Sequence, residues 1–412
     1  LDLSETTPAN VTSDDADLLL VRYQQDGTVV WQRHFDSDGE QQAVAAARTR
    51  DGDVAVLFSL SGTIDLAREA PPVELTAEGP RAAALLRVDA VTGDVEWQTR
   101  FGGGATVSAS DLALASNDDV YVVGSFTGSL NPDPAGATDP VAADGVDAFV
   151  VSLSESVLNG SDTDSPALEW FLAPTLADAQ ELSAVTEAEN ADVVAGGSQG
   201  DPATNAWVYR ANAAGTVTSD FTFCGGAAPT QVRDIESRGT SVQVAGLFSG
   251  DCDFNGDTTV SNAGGSDGFF AVFTSAGDQL AFVRAVASSA DDSVDALIRT
   301  DDIDASFVFA GEIGADATFS FGLTPEVLTV PGATAYLLTV GFDGQIKDLV
   351  AQPSSRNHRL FSQPDDTVWA ASDILVDTSF EADPFDTSVP VTGSIDAQLL
   401  QHFDPGAQRL VP

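Results

Sequence analysis

A segment of about 60 residues recurs along the whole chain, and this period constrains the fold more than any other feature. It is clearest at Asp17-Leu18-Leu19-Leu20-Val21-Arg22-Tyr23, followed by Asp26-Gly27 and Thr28-Val29-Val30-Trp31. The motif returns at Ala82, Asp147, Asn205, Asp267, Thr334 and Asp396. Each unit reads as two β-hairpins. The first is seen at 110–126, where alternating Leu112 and Leu114 lead through Asn117-Asp118-Asp119 into Val120-Tyr121-Val122-Val123-Gly124. The second is the Asp17-type run, a glycine turn (Gly27, Gly93, Gly215, Gly277, Gly344, Gly406) and a strand such as Val95-Glu96-Trp97. Alternating β-branched and aromatic residues bounded by Asp-Gly or Asn-Asp turns predict hairpins. Four strands per unit, repeated at this period, predict an all-β protein, a β-propeller of four-stranded antiparallel blades.

Strands A and B form the first hairpin, C and D the second. The A–B and C–D turns are short, whereas the B–C connections at 59–81, 127–146 and 249–266 are long and rich in Asp, Pro, Gly and Thr. Alternating strand direction gathers all B–C connections on one face, the better place for a binding surface. One segment disagrees with the repeat. Residues 179–190 have helix-favouring composition, but they occupy strand A of their unit, and propensity is a weak prior beside context. There are seven C–D hairpins and six A–B hairpins. The expectation is a single domain over 1–412, seven-bladed with one blade lacking its inner pair. That pair would come from flanking residues or another chain. The alternative is a six-bladed ring with a surplus hairpin at its side. An unpaired strand edge is an assembly site unless covered.

Charge narrows the partners. The chain has 412 residues, 17 of them basic and 63 acidic, for a net charge of −46. Such a surface repels phosphate backbones, which argues against nucleic acid, and it attracts cations. It suits brine, seawater or a calcium-containing exterior, where salt shortens the Debye length from roughly 10 Å at 0.1 M to about 3 Å at 1 M. Biased genomic composition is the alternative to that reading. The 43% apolar content is periodic, so the charge does not signal disorder. No apolar run approaches the ~18 residues of a spanning helix, so no membrane span is expected. Leu1 is not a translation start and no leader is visible, as in a mature or trimmed form.

The motifs that carry chemistry are few. Gly196-Gly197-Ser198-Gln199-Gly200 matches the nucleophile-elbow pattern, but Asp201-Pro202 follows where a helix is needed, and the segment aligns with the ordinary turn Gly124–Gly128. His34, His358 and His402 are scattered, with no metal-ligand spacing, and no acid pair is singled out for catalysis. Asp251-Cys252-Asp253-Phe254-Asn255-Gly256-Asp257 matches the opening of a calcium loop, with hard oxygen donors Asp251, Asp253, Asn255 and Asp257. Position twelve is Asn262 instead of Glu, no helix flanks it, and a solvated acidic loop is the competing reading. Cys224 closes a D strand and Cys252 lies just past strand B of the next unit, so both reach the same face. A disulfide between them is expected, implying an oxidising compartment, with two buried thiols as the alternative.

The units resemble bacterial SBBP-type β-propeller repeats in Asp147-Ala148-Phe149-Val150-Val151, Asp267-Gly268-Phe269, Phe101-Gly102-Gly103 and Val120–Gly128. Residues 88–97, Val-Asp-Ala-Val-Thr-Gly-Asp-Val-Glu-Trp, are also similar to the tryptophan docking motif of quinoprotein (PQQ-type) repeats. Trp31, Trp97 and Trp170 keep that Trp, which in both families locks neighbouring blades. The resemblance carries over no catalytic residue. It implies an exported bacterial protein, non-enzymatic, acting as a binding or assembly module on a cell surface or in an extracellular structure, with a protein partner or its own copies. A lectin-like adhesin binding carbohydrate is the second possibility, and a quinoprotein-like enzyme a third, disfavoured by scarce Arg and His.

Overall fold

The computed structural model describes residues 17–23, 29–35, 37–67, 71–133, 138–154, 166–174, 178–188, 190–201, 203–226, 228–239, 241–254, 256, 258–274, 279–299, 307–321, 325–330, 332–341 and 345–353. Beyond these it gives the strand backbone of Ser355–Ser362, Val368–Ile374, Thr378–Phe380, Val389–Val391, Ala397–Asp404 and Arg409–Val411. Every regular element among the described residues is a strand, and no helix there is long and apolar enough to cross a membrane. The amino-terminal hairpin pairs Leu18–Tyr23 with Val29–Phe35. Six sheets follow, each built from four strands taken in chain order. Sheet I holds Gln41–Arg48, Val54–Leu60, Ala82–Val88 and Val95–Gly103. Sheet II holds Thr106–Leu114, Val120–Thr127, Asp147–Ser154 and Ala167–Leu172. Sheet III holds Gln180–Glu187, Val193–Gln199, Asn205–Ala211 and Val217–Phe223. Sheet IV holds Thr230–Arg238, Ser241–Ser249, Ser266–Thr274 and Leu280–Ala287. Sheet V holds Ala296–Arg299, Phe307–Ile313, Thr334–Val340 and Ile346–Pro353. Sheet VI holds Ser355–Ser362, Val368–Ile374, Ala397–Asp404 and Arg409–Val411. By contact, the chain divides into two compact units, residues 1–195 with 211–218, and residues 196–210 with 219–412.

The middle strands are apolar on both faces because both faces are covered. In Val54–Leu60, Val56, Phe58 and Leu60 pack with Leu18 and Phe35 of the hairpin. Their neighbours Ala55 and Leu57 turn the other way, onto Val107, Val122, Phe149 and Val151 of sheet II. The second unit repeats the arrangement, with Phe270 and Val286 of sheet IV against Leu297, Phe309 and Leu338 of sheet V. Each fully buried side chain of this size contributes roughly 1.5–3 kcal/mol. The helix-like segment obeys the same rule. Gln180–Glu187 is a strand whose Leu182 and Ala184 are buried, so burial between sheets overrides local propensity.

Hydrogen bonds tie first strands to one another. Asp111 follows a bulge in the first strand of sheet II, and its Oδ2 accepts from the Val185 N–H of sheet III at 2.9 Å. Asp234 occupies the same place in sheet IV and accepts from the Leu297 N–H of sheet V at 2.8 Å. Fourth strands are tied to the following sheet by tryptophan. The Trp31 Nε1–H donates to the Ala90 carbonyl at 2.8 Å, and its ring lies so close to Gly93 that a Cβ there would sit 2.8 Å from it. Trp170 does the same on the next-but-one turn, donating to the Ala213 carbonyl at 3.0 Å with its ring on Gly215. Both glycines have positive φ, 75° and 74°, so the residue type serves the turn and the docking ring together. Trp97 is buried likewise, and the turn that would face it, at 155–165, lies outside the described residues.

Trp170→Ala should lower stability by about 2–4 kcal/mol, the range for deleting a large packed aromatic with its hydrogen bond. Gly215→Ala should cost about 1 kcal/mol or more, whereas Val91→Ala, 74% exposed in the turn beneath Trp31, should change stability by less than about 0.5 kcal/mol. Urea unfolding followed by far-ultraviolet circular dichroism distinguishes the three.

Candidate functional site

The long B–C connections are not open loops. In sheets I, II, IV and V each folds into a short hairpin that reaches back towards the strand preceding its own sheet. Ser129–Asn131 pairs with Val141–Ala142 and adds Leu130 and Asn131 to Gly103 and Gly102 of sheet I. Ala317–Phe319 pairs with Glu326–Leu328 and adds to Val286 and Ala287 of sheet IV. Thr63–Asp65 pairs with Glu74–Thr76, and Ile64 bridges to Ser37 beyond the amino-terminal hairpin. Cys252–Asp253 pairs with Thr259–Val260, and the Asp253 carbonyl accepts from the Cys224 N–H at 2.8 Å. These hairpins clasp one sheet to the one before it. Their few inward side chains, Ile64, Leu75, Leu130 and Phe319, are buried, and most of the outward ones are polar.

The disulfide locks one such clasp. Cys224, at the end of the fourth strand of sheet III, is bonded to Cys252 of the sheet IV hairpin, with Cα atoms 4.4 Å apart. Both cysteines are buried, and the adjoining Phe223, Phe248, Phe254 and Phe269 stack and meet edge to face. Cys224 has φ 58°, a left-handed conformation uncommon for a residue with a Cβ.

The calcium-like pattern lies on the same hairpin. Alternation along the strand turns Cys252 and Phe254 inward and Asp251 and Asp253 outward. Asp253 Oδ1 accepts from the Gly256 N–H at 2.6 Å, closing the hairpin turn. Its cognates do the same, since Asp65 Oδ1 accepts from Ala67 and Val73 and Asn131 Oδ1 from Asp133. Asp251 Oδ1 accepts from the Asn262 N–H across the hairpin at 3.0 Å, as Asp316 does from Val330 at 2.8 Å. Short acidic side chains at these spacings are therefore a property of the repeat. Asn255 and Asp257 lie outside the described residues. Ser198 is buried in strand Val193–Gln199, and a turn follows it at Gly200 and Asp201.

A second acidic group surrounds Arg87 on the short-turn side of sheet I. Asp53, Asp89 and Glu96 bring carboxylate oxygens within 4.8 Å of one another. Arg87, nearly buried, pairs with Asp53 at 2.8 Å, with Glu96 at 2.7 Å and with Asp51. Burial, with Asp53 beside it, raises the Glu96 carboxyl, while the Thr49 hydroxyl and then Arg87 hold Asp51 low. The guanidinium already supplies the positive charge that this cluster requires.

Among the described residues, Asp267 and Asp292 have no such partner. Asp267 opens the third strand of sheet IV, and Asp292 lies in the connection to sheet V; they are 0% and 1% exposed. Asp267 Oδ2 accepts from the Ala263 N–H at 2.7 Å, and Asp292 Oδ1 accepts from the Ser288 hydroxyl at 2.9 Å and the Gly314 N–H at 3.0 Å. Asp267 Oδ1 and Asp292 Oδ2 are buried without a hydrogen-bond partner. Burial raises Asp267 and pushes Asp292 up to about 6, with the Asp267 charge adding to the effect. Nothing in the linear sequence singles this pair out.

No protein-family model matches the chain. Over 129 residues it is 27% identical to the Regulatory protein FlaEY of Caulobacter vibrioides, a match that spans 30% of this chain and 13% of that protein.

Two outcomes are expected from this geometry. The disulfide joins residues 28 apart in sequence. Dithiothreitol, or Cys252→Ser, should therefore lower stability by about 3–4 kcal/mol, the chain-entropy value for a loop of this length, and the reductant should do nothing further to the variant. A carboxyl raised by folding holds a proton that the unfolded chain releases, so its contribution grows as pH falls from above 6 towards the ordinary carboxylate range near 4. In cation-free buffer the stability gap between wild type and Asp292→Asn should shift towards wild type as pH falls from about 7 to about 5. Urea midpoints at each pH measure it.

Proposed function

We propose that the six sheets and the amino-terminal hairpin are blades of a β-propeller built from SBBP-type repeats, acting without catalysis as an exported binding or assembly module on a bacterial surface. The first-strand links through Asp111 and Asp234 support a common axis lined by first strands. The edge of Leu18–Tyr23 carries the assembly half of the proposal. Among the described residues this strand pairs with Val29–Phe35 alone, while every other repeat supplies two further strands. Its Leu18 side is already packed on sheet I, which supports reading the hairpin as a blade whose inner pair is absent among the described residues. An edge of this kind accepts strands from another chain, each pair adding main-chain hydrogen bonds.

A disulfide at Cys224 and Cys252 supports an oxidising location. A likeness confined to a short part of a longer protein fits a repeat unit that serves in larger chains. A net charge of −46 opposes contact between copies in dilute salt, so assembly should strengthen with ionic strength or calcium.

Size-exclusion chromatography with light scattering tests this directly. The expected result is concentration-dependent association that grows with salt and is lost in Val21→Pro, whose ring cannot sit within a strand paired on both edges. A monomer under every condition would overturn the assembly role.

A further inference from the structure

Two carboxylates buried side by side without a counter-charge are costly, because desolvation and mutual repulsion act together. The repeat shows what is usual at this place. Asp17, Asp147 and Asp267 stand at the start of equivalent strands, and a residue at or just before the first strand of the following sheet lies beside each of them. After Asp147 that residue is Gln180, whose N–H donates to the Val146 carbonyl at 3.0 Å, as the Asp292 N–H donates to the Ser266 carbonyl at 2.7 Å. After Asp17 it is Gln41, bridged to Asp17 by the Ser37 hydroxyl, and Asp17 also meets His34 Nε2 at 2.8 Å. Neutral amides stand where Asp292 stands. At Asp267 the neighbour is instead a second carboxylate, and neither acid has an ion-pair partner among the described residues. Each keeps one buried oxygen with no donor, as Asp147 and Gln180 also do, but only here do both orphaned oxygens belong to carboxylates, and the bond from the Asp292 N–H to the carbonyl of Ser266 places the two groups together.

We propose that Asp267 Oδ1 and Asp292 Oδ2 are ligands of one hard divalent cation, of the calcium class. Oxygen donors on a rigid backbone, with two formal negative charges and no sulfur or imidazole, are what such an ion selects. Backbone oxygens and water complete its shell. Access comes through the adjoining Gly264, Gly265, Ser289 and Asp291, which are exposed, and Asp291 adds a third negative charge there. The ion joins three segments. Asp267 belongs to the third strand of sheet IV, Asp292 to the connection, and Gly314, held by Asp292, follows the second strand of sheet V. It is therefore a structural cation that fastens sheet V to sheet IV, where the preceding clasp uses a disulfide.

The test uses the full chain, chelator-treated and dialysed into about 0.5 M NaCl at pH 7.5, so that the acidic surface is screened. Calcium chloride is titrated by calorimetry. One saturable site is expected, lost or weakened at least tenfold in Asp292→Asn and in Asp267→Asn. The double variant Asp251→Asn/Asp253→Asn should bind as wild type does. Hydrogen exchange on wild type should show calcium protecting the amides of 263–268 and 288–292, an outcome independent of whether the variants fold. Absence of a saturable site, or of that protection, would overturn the proposal, as would undiminished binding by Asp292→Asn.

Discussion

A sheet that is apolar on both faces can exist only between two others, and this single constraint organises the molecule. Strand Val54–Leu60 shows it in one element, because alternate residues enter two different cores. Every sheet must then be placed against its neighbours to a fraction of a side chain. The Trp31 and Trp170 docking rings, the Asp111 and Asp234 links and the clasp hairpins meet that requirement at the edges, where apolar burial is thinnest. They are directional contacts, and they fix the register that non-directional burial leaves open.

The clasp hairpins alter what the long connections can do. A connection that was free could vary and bind; one that adds strands to the neighbouring sheet is committed to structure. The disulfide makes this plainest, since it joins the end of one sheet to the hairpin of the next and does not pin a loop to its own stem. Residues left available for recognition are the outward side chains of these hairpins and the turns between their strands, a narrower set than the face as a whole.

The two-hairpin unit, its turns and the lone amino-terminal hairpin were all legible in the sequence, because a period of two and a glycine turn are strong local signals. The Trp docking was legible too, through the resemblance of residues 88–97 to a tryptophan docking motif. The clasps were not, because strands of two or three residues contain one inward apolar side chain and no alternation to detect. Their trace was present as Ser61-Gly62, Thr127-Gly128 and Ser249-Gly250, each followed within a few residues by an apolar side chain and then Asp or Asn. Taken as part of the repeat, that trace accounts for the hairpin bonds that Asp251 and Asp253 accept. The Asp267 and Asp292 pair was invisible for a different reason: two acids among 63 become a pair only once the chain returns from sheet IV to sheet V.

The excess of Asp over Glu then acquires a cause beyond the solvent. Asp65, Asp89, Asp111, Asp234, Asp251, Asp253 and Asp316 all accept backbone N–H groups within turns, bulges or hairpins. One methylene more would carry the carboxylate past these donors, so Glu does not substitute. A fold made of many short connections needs many such acceptors, and when most are Asp the charge accumulates as a by-product. Asp89 illustrates why the charge persists: hydrogen bonds from Thr92 and then Val91 hold its carboxyl below the usual range. The net charge of −46 is then partly the sum of local solutions to an unmet N–H, and its long-range repulsion is the collective cost. Salt or bound cations lower that cost without disturbing any single turn, which reconciles a surface this acidic with sheets packed this closely.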